Sequence, residues 1–338
     1  MAPNSAPPSF TELEHELNDV LISEEFLPLA YFSRKISSSV SASIQSNMSI
    51  TRRRMTSPAA DMINMTPKLA DESASLRPVA DTSASIHARR GPVCGGLTLR
   101  HAATTSAETS LSCALGALAF SLQSMTPFEA PKATVGVLKS SVAKGPVTAD
   151  LAVSANSNSV SVMPAASVRL LSRETELGNV EAVIGAAVVA PVQKSVPVLD
   201  LACRVSLRKP EPAPLPPPVK QGRFKKAAPP PRAPLPRKGP ESVVGTVSAC
   251  TNGLVSAGVA SVHRGVTLAA RAIVDFPAKN IEPQLAVQTT INGADLSLSV
   301  HQGVLVKAST MVGRSRVGLS SHLPVHGMPA VGMSLVIE

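Results

Sequence analysis

The chain has 338 residues, 44% of them hydrophobic, yet it contains no Trp, one Tyr and seven Phe. Its 32 Lys and Arg exceed 23 Asp and Glu, giving a net charge of +9. The length admits one large domain or two small ones, and the scarcity of aromatics excludes a core built on rings. The bias toward Ser, Ala and Pro is foreign to a metabolic enzyme. It suits a partly disordered chain or a reading frame overlapping another gene in a compact viral genome.

Residues 1–32 read as a tail followed by an acidic amphipathic helix. MAPNSAPPSF has neither the charged nor the apolar region of a secretory signal. In SFTELEHELNDVLISEEF, Ser9 and Glu12 have capping-box spacing. Leu13, Leu17 and Leu21 recur every four residues with Val20 beside them, opposite Glu12, Glu14, Glu16 and Asp19. Such a helix packs on its own domain, docks a partner, or screens basic residues elsewhere in the chain.

Residues 33–90 form a loosely structured, Ser/Thr-rich segment. Val40–Ile44 and Met48–Ile50 alternate weakly, as strands do. Arg52, Arg53 and Arg54 follow, a triplet able to meet phosphate, and 55–85 read as a long loop.

Region 91–207 is expected to be the central folded domain. Short strands are predicted at Cys94–Leu99, Thr134–Leu138, Val147–Val153, Ser159–Met163, Val168–Leu171, Ala182–Ala190 and Val196–Leu207. Ala107–Leu122 reads as a short helix or a buried strand, which periodicity alone does not decide. Many short strands between turn residues predict a sandwich or jelly roll.

Residues 208–240 are a Pro-rich basic strip with twelve prolines, nine Lys or Arg and one acid, Glu211. It carries +8 of the chain's +9. Its prolines hold it extended, as a disordered linker. Arg208, Lys209, Lys220, Arg223, Lys225, Lys226, Arg232, Arg237 and Lys238 can each meet a phosphate without reading sequence. Phe224 is the aromatic available to stack on an unpaired base. A solvated spacer, or docking of Pro214–Pro217 and Pro231–Pro234 to an SH3-like partner, are the other uses of such a strip.

Residues 241–338 form a small β-patterned region. Its strands are predicted at Ser242–Ala249, Gly253–Ala260, Val262–Ala269, Leu285–Thr290, Asp295–Val300, Val304–Lys307 and Val331–Ile337. Leu296-Ser-Leu298-Ser-Val300 is the clearest alternation, and Asn252-Gly253 and Asn292-Gly293 are hairpin-turn pairs.

Nothing in the chain assembles a catalytic constellation. There is no G-x-S-x-G and no Walker-type loop. Cys94 with His101 is the one near pair of thiol and imidazole. His322 and His326 are separated by Pro324, without a carboxylate near them, so no metal or other cofactor is expected. Cys94, Cys113, Cys203 and Cys250 are far apart and read as reduced thiols. No apolar run is long enough to span a bilayer, so no transmembrane segment is expected and the chain reads as soluble, or peripheral to a membrane at most.

The stretches GPVCGGLTLRHAATTSAETSLSCALGALAF, AKGPVTADLAVSANSNSVSV and VPVLDLACRVSLR, followed by a basic extension, resemble the core of the plant-virus 30K movement-protein superfamily. That resemblance implies a mainly β, non-enzymatic protein that binds single-stranded RNA regardless of sequence. It further implies cell-to-cell transport from the host cytoplasm through plasmodesmata at the cell periphery. Expected partners are single-stranded RNA, further copies of the chain, and an SH3-like or membrane-associated host protein, with no small-molecule substrate. The alternatives are a coat or nucleocapsid subunit that packages RNA and an overprinted silencing suppressor. The fold expected is mainly β: a jelly-roll-like antiparallel domain with a short N-terminal helix, a disordered linker and a small C-terminal β region.

Overall fold

The computed structural model describes residues 7–14, 17, 20–21, 26–49, 80–101, 105–157, 159–191, 196–209, 240–301, 303–313, 315–324 and 329–337. They form nineteen strands. The first six are β1 (Phe26–Lys35), β2 (Val40–Ser49), β3 (Ala80–Arg90), β4 (Val93–His101), β5 (Thr105–Leu115) and β6 (Leu118–Pro127). Next come β7 (Val135–Lys144), β8 (Val147–Ala155), β9 (Val160–Thr175), β10 (Gly178–Pro191), β11 (Val198–Arg208) and β12 (Ser242–Cys250). The remainder are β13 (Leu254–His263), β14 (Val266–Asp275), β15 (Asn280–Ile291), β16 (Ala294–Val300), β17 (Gly303–Val312), β18 (Ser315–Pro324) and β19 (Ala330–Ile337).

The protein is mainly β, as expected, and its strands make one antiparallel sheet. Its connectivity differs from a jelly roll. Each strand pairs with the next in sequence from β1 to β19, an up-and-down meander without crossovers between two layers. The short connections leave a strand nowhere to go but beside its predecessor. Leu201 opposite Ala249 and Arg204 opposite Thr246 carry the sheet across the two ends of the strip, joining 91–207 to 241–338. β19 lies alongside β1, so the sheet curls into a barrel. Both are odd-numbered strands of a strictly antiparallel series and therefore run the same way.

Ala107–Leu122 resolves as a hairpin. β5 and β6 pair from Leu115 opposite Leu118 to Ser106 opposite Pro127, so the helical spacing of Leu111, Leu115 and Leu118 was coincidental. β3 occupies the end of the expected 55–85 loop, and β18 occupies a stretch with no predicted strand. Asn292 and Gly293 form a two-residue turn with both φ values positive, 52° and 80°, a conformation that matches the twist of the flanking strands.

The alternation along the strands is inverted relative to a water-soluble β domain. In β11, Asp200, Ala202, Arg204 and Ser206 point to the barrel interior and are buried, while Leu201 and Val205 are exposed. In β14 and β15, Arg271, Glu282 and Gln284 are buried and Leu268, Ile281 and Leu285 are exposed. Ser297 and Ser299 of β16 face inward between Leu296, Leu298 and Val300 facing out.

The N-terminal segment lies inside this barrel. It begins with a 3-10 turn, Phe10–Glu12, where Glu12 Oε2 accepts the Ser9 N–H at 2.9 Å, as the capping-box spacing predicts. Leu17, Val20 and Leu21 have helical backbone. The leucine row is its buried face: Leu13 and Leu17 are each 1% exposed. Phe10 and Leu13 pack with Ala152, Met163, Val183, Ala187 and Ala202 of β8–β11. Leu17 and Leu21 pack on Ala260, Ala269 and Ala286 of β13–β15. Burying four such side chains contributes roughly 2 kcal/mol each. The wall is notched to receive them. A Cβ on Gly185 would stand 2.8 Å from both Leu13 Cδ1 and Phe10 Cδ2, and one on Gly258 would collide with Leu17.

Gly185→Val should therefore push the segment off the wall while leaving strand pairing intact. Limited proteolysis of the purified protein is expected to cleave before residue 26 at least several-fold faster than in the wild type. Unchanged cleavage would mean that the segment does not depend on that notch.

Candidate functional site: the barrel wall and its lumen

The chemistry-bearing side chains are concentrated on the inner wall because every second residue of each strand points there. They are mostly small hydroxyls and paired charges. Ser83, Ser106, Thr148, Ser167, Ser206 and Thr246 are buried inward residues. Among the charges, Arg169 Nε donates to Glu181 Oε1 at 2.7 Å across β9 and β10, and Arg100 sits 3.4 Å from Glu108 across β4 and β5. Arg316 lies 3.5 Å from Asp295. The more exposed of these pairs, Arg100–Glu108 and Arg316–Asp295, contribute little to stability, at most about 1 kcal/mol each. Their larger effect is to line the interior with fixed charge of both signs.

A connected group ties the N-terminal segment to β14–β16. The Arg271 guanidinium donates to Gln284 Oε1 at 2.9 and 2.6 Å and lies 3.9 Å from Glu14 Oε2. Gln284 Nε2 donates to Glu282 Oε1 at 2.9 Å, and Glu282 also meets His301. Glu14 Oε1 accepts the Ser248 hydroxyl at 2.8 Å. Buried charges persist when paired and bonded in this way. Further upstream, the Pro7 carbonyl accepts the Thr148 hydroxyl at 2.7 Å, the Pro8 carbonyl accepts that of Ser167, and the Phe10 N–H donates to Asp150 Oδ2 at 3.2 Å. Leucines and polar bonds thus anchor one extended face of the segment along the interior.

The outer surface is an aliphatic belt. Leu97, Leu99, Leu111, Leu122, Leu138, Leu151, Ile184, Leu201, Val259, Leu268, Leu285, Leu298 and Leu319 are all exposed on it. Contiguous apolar exposure on this scale exceeds what monomeric soluble proteins carry. Most strands have 9–12 residues, the length at which a tilted strand crosses a bilayer's hydrocarbon core. No helix among the described residues is long and apolar enough to do so.

The two rims differ. At one, the connections 91–92, 116–117, 145–146, 176–177, 264–265, 292–293 and 313–314 take two residues each. The strip is inserted into that same rim between β11 and β12. Arg208 pairs with Ser242, and the Lys209 N–H donates to the Glu241 carbonyl at 2.9 Å, so the strip leaves and re-enters at one point. Of the predicted phosphate-contact residues, Arg208 and Lys209 stand at this rim. Arg52, Arg53, Arg54, Lys220, Arg223, Phe224, Lys225, Lys226, Arg232, Arg237 and Lys238 lie outside the described residues, as does His326. Cys94 and His101, at opposite ends of β4, form no pair. The four cysteines are free thiols.

The inner-wall residues were missed at the sequence level because alternation identifies which residues share a face but not which face meets water. The usable signal was the pairing of Ser, Thr and Ala on one face with Leu, Val and Ile on the other in strand after strand, without a central aromatic. No protein-family model matches the sequence, and comparison with curated proteins finds no relative.

Arg271→Met keeps the bulk of the side chain but removes its bonds to Gln284 and its approach to Glu14. A loss of about 1–3 kcal/mol is expected, the usual cost of stranding buried polar partners, read as a lowered unfolding midpoint with faster cleavage of the N-terminal segment. An unchanged midpoint would show these bonds to be dispensable.

Proposed function

We propose that the chain is an integral membrane β-barrel that conducts small hydrophilic solutes and ions through its lumen, without catalysing a reaction. The observation that carries this reading is the inverted polarity: apolar side chains outward and polar ones inward on strands of bilayer-spanning length, in a sheet closed on itself. A closed barrel leaves no unpaired edge, the condition for placing strands in hydrocarbon. Sixteen to eighteen strands already enclose an aqueous channel, and here the N-terminal segment takes up part of that width.

Single-chain barrels of bacterial outer membranes have even strand counts, whereas nineteen, the number of strands among the described residues, is the count of the mitochondrial outer-membrane anion channel. This is a likeness of architecture, and it favours the mitochondrial outer membrane as the location.

A second reading rests on the strip. Its nine basic residues support sequence-independent binding of single-stranded RNA, the activity expected for movement or packaging, and a barrel rim is a workable anchor for it. Titration of labelled RNA over a salt series, with residues 210–239 deleted alongside, tests it. A steep salt slope lost on deletion supports it, and equal weak binding by both proteins removes it.

For the channel, purified protein added to a planar bilayer should give stepwise conductance. Leu298→Arg at mid-strand should destabilise the lipid-embedded protein by about 2–4 kcal/mol, whereas at a water-exposed site the effect stays within about 0.5 kcal/mol. No conductance, together with a neutral Leu298→Arg, would overturn the channel reading.

A further inference from the structure

Among the strand residues whose side chains are described, only three Lys, Arg, Asp or Glu point outward: Arg90, Lys144 and Arg173. Arg90 shares its face with the exposed Ile86, and it pairs with Val93, which lies on the same face as Leu97 and Leu99. Lys144 continues the row of Leu138 and Val142, opposite Val147. Arg173 follows Leu171 on the outer face, opposite Val180. All three are exposed, all are cations, and all stand close to the same rim, the one that bears the strip: Arg90 and Lys144 end their rows, and only Thr175 follows Arg173 in its own. At the opposite rim, the outward rows among the described residues end in uncharged or imidazole side chains such as His101, Ala155, Leu199, Val300 and Leu323.

We infer that this rim is a docking surface for the headgroups of anionic phospholipids. The inference rests on the channel reading, since it needs the aliphatic belt to sit in hydrocarbon. Given that belt, the three cations come to lie where the chains end and the phosphates begin. Long basic side chains settle there with their stems on apolar surface and their charge at the interface. An anionic leaflet attracts each such residue, and the effect decays within a Debye length. Every one of these outward charges is positive and sits at one end, so the surface fits negative headgroups and gives the barrel a preferred leaflet. The strip adds basic sequence at the same rim, but the site itself is the three side chains on the wall.

The test uses the full-length chain reconstituted into vesicles of phosphatidylcholine alone or with added phosphatidylglycerol, scoring the inserted fraction by protease protection. Three proteins are compared: wild type, a neutral variant (Arg90→Gln, Lys144→Gln, Arg173→Gln) and a charge-keeping variant (Arg90→Lys, Lys144→Arg, Arg173→Lys). Phosphatidylglycerol should raise insertion of the wild type and the charge-keeping variant roughly tenfold or more, and that of the neutral variant far less. An equal gain in all three proteins would overturn the inference while leaving the channel intact. So would insertion of the wild type that ignores phosphatidylglycerol. Failure of the wild type to insert into either vesicle would instead overturn the channel reading on which the inference rests.

Discussion

Closure of the sheet is the constraint on which everything else in this molecule depends. An open sheet of this size would present two long edges of unpaired N–H and C=O groups, an invitation to aggregate. With each strand paired to the next and β19 brought beside β1, the sheet is wrapped round on itself. That relieves the side chains of the need to hold two layers together. The large aliphatics can face outward, and the interior can be lined with Ser, Thr and charged residues, because backbone pairing rather than a central apolar core holds the wall.

A lumen wider than its side chains cannot fill would stay wet, and the N-terminal segment uses that room. Its one apolar face falls on Ala, Gly and Val of β8–β15, small residues that leave a trough. Its polar groups meet Thr148, Asp150, Ser248 and Arg271. The segment therefore belongs to the interior by both shape and chemistry. The two buried clusters beneath it are the compact apolar packing among the described residues, and their modest size suits a chain without Trp and with a single Tyr. The low aromatic content, which excludes a core built on rings, reflects a fold that needs little core.

Much of the strand content was legible. Cys94–Leu99, Val147–Val153, Ala182–Ala190 and Asp295–Val300 all lie within observed strands, and the leucine row at 13, 17 and 21 is buried as its spacing implies. What was not legible is global. The pattern Leu296-Ser-Leu298-Ser-Val300 is the same whether the leucines face a core or a lipid tail. Period-2 alternation fixes the faces, and only closure decides which face meets what. Ala107–Leu122 misled for a related reason: with both faces of the hairpin rich in small or apolar residues, helical spacing occurs by chance. The meander was also obscured by the strip, which resembles a domain linker but is a rim insertion between two adjacent strands.

That insertion bears on orientation. Seven hairpins of its rim turn in two residues, which leaves the barrel end low and tight, and the one long excursion there carries most of the chain's net positive charge. The outward-facing cations Arg90, Lys144 and Arg173 stand at or near the ends of their strand rows on the same side. A concentration of positive charge at one end of a symmetric wall makes the two orientations in a membrane unequal in energy whenever the two leaflets differ in charge. On the channel reading, the basicity stands where it can decide that choice, and the near balance of acids and bases on the inner wall leaves the choice to the rim.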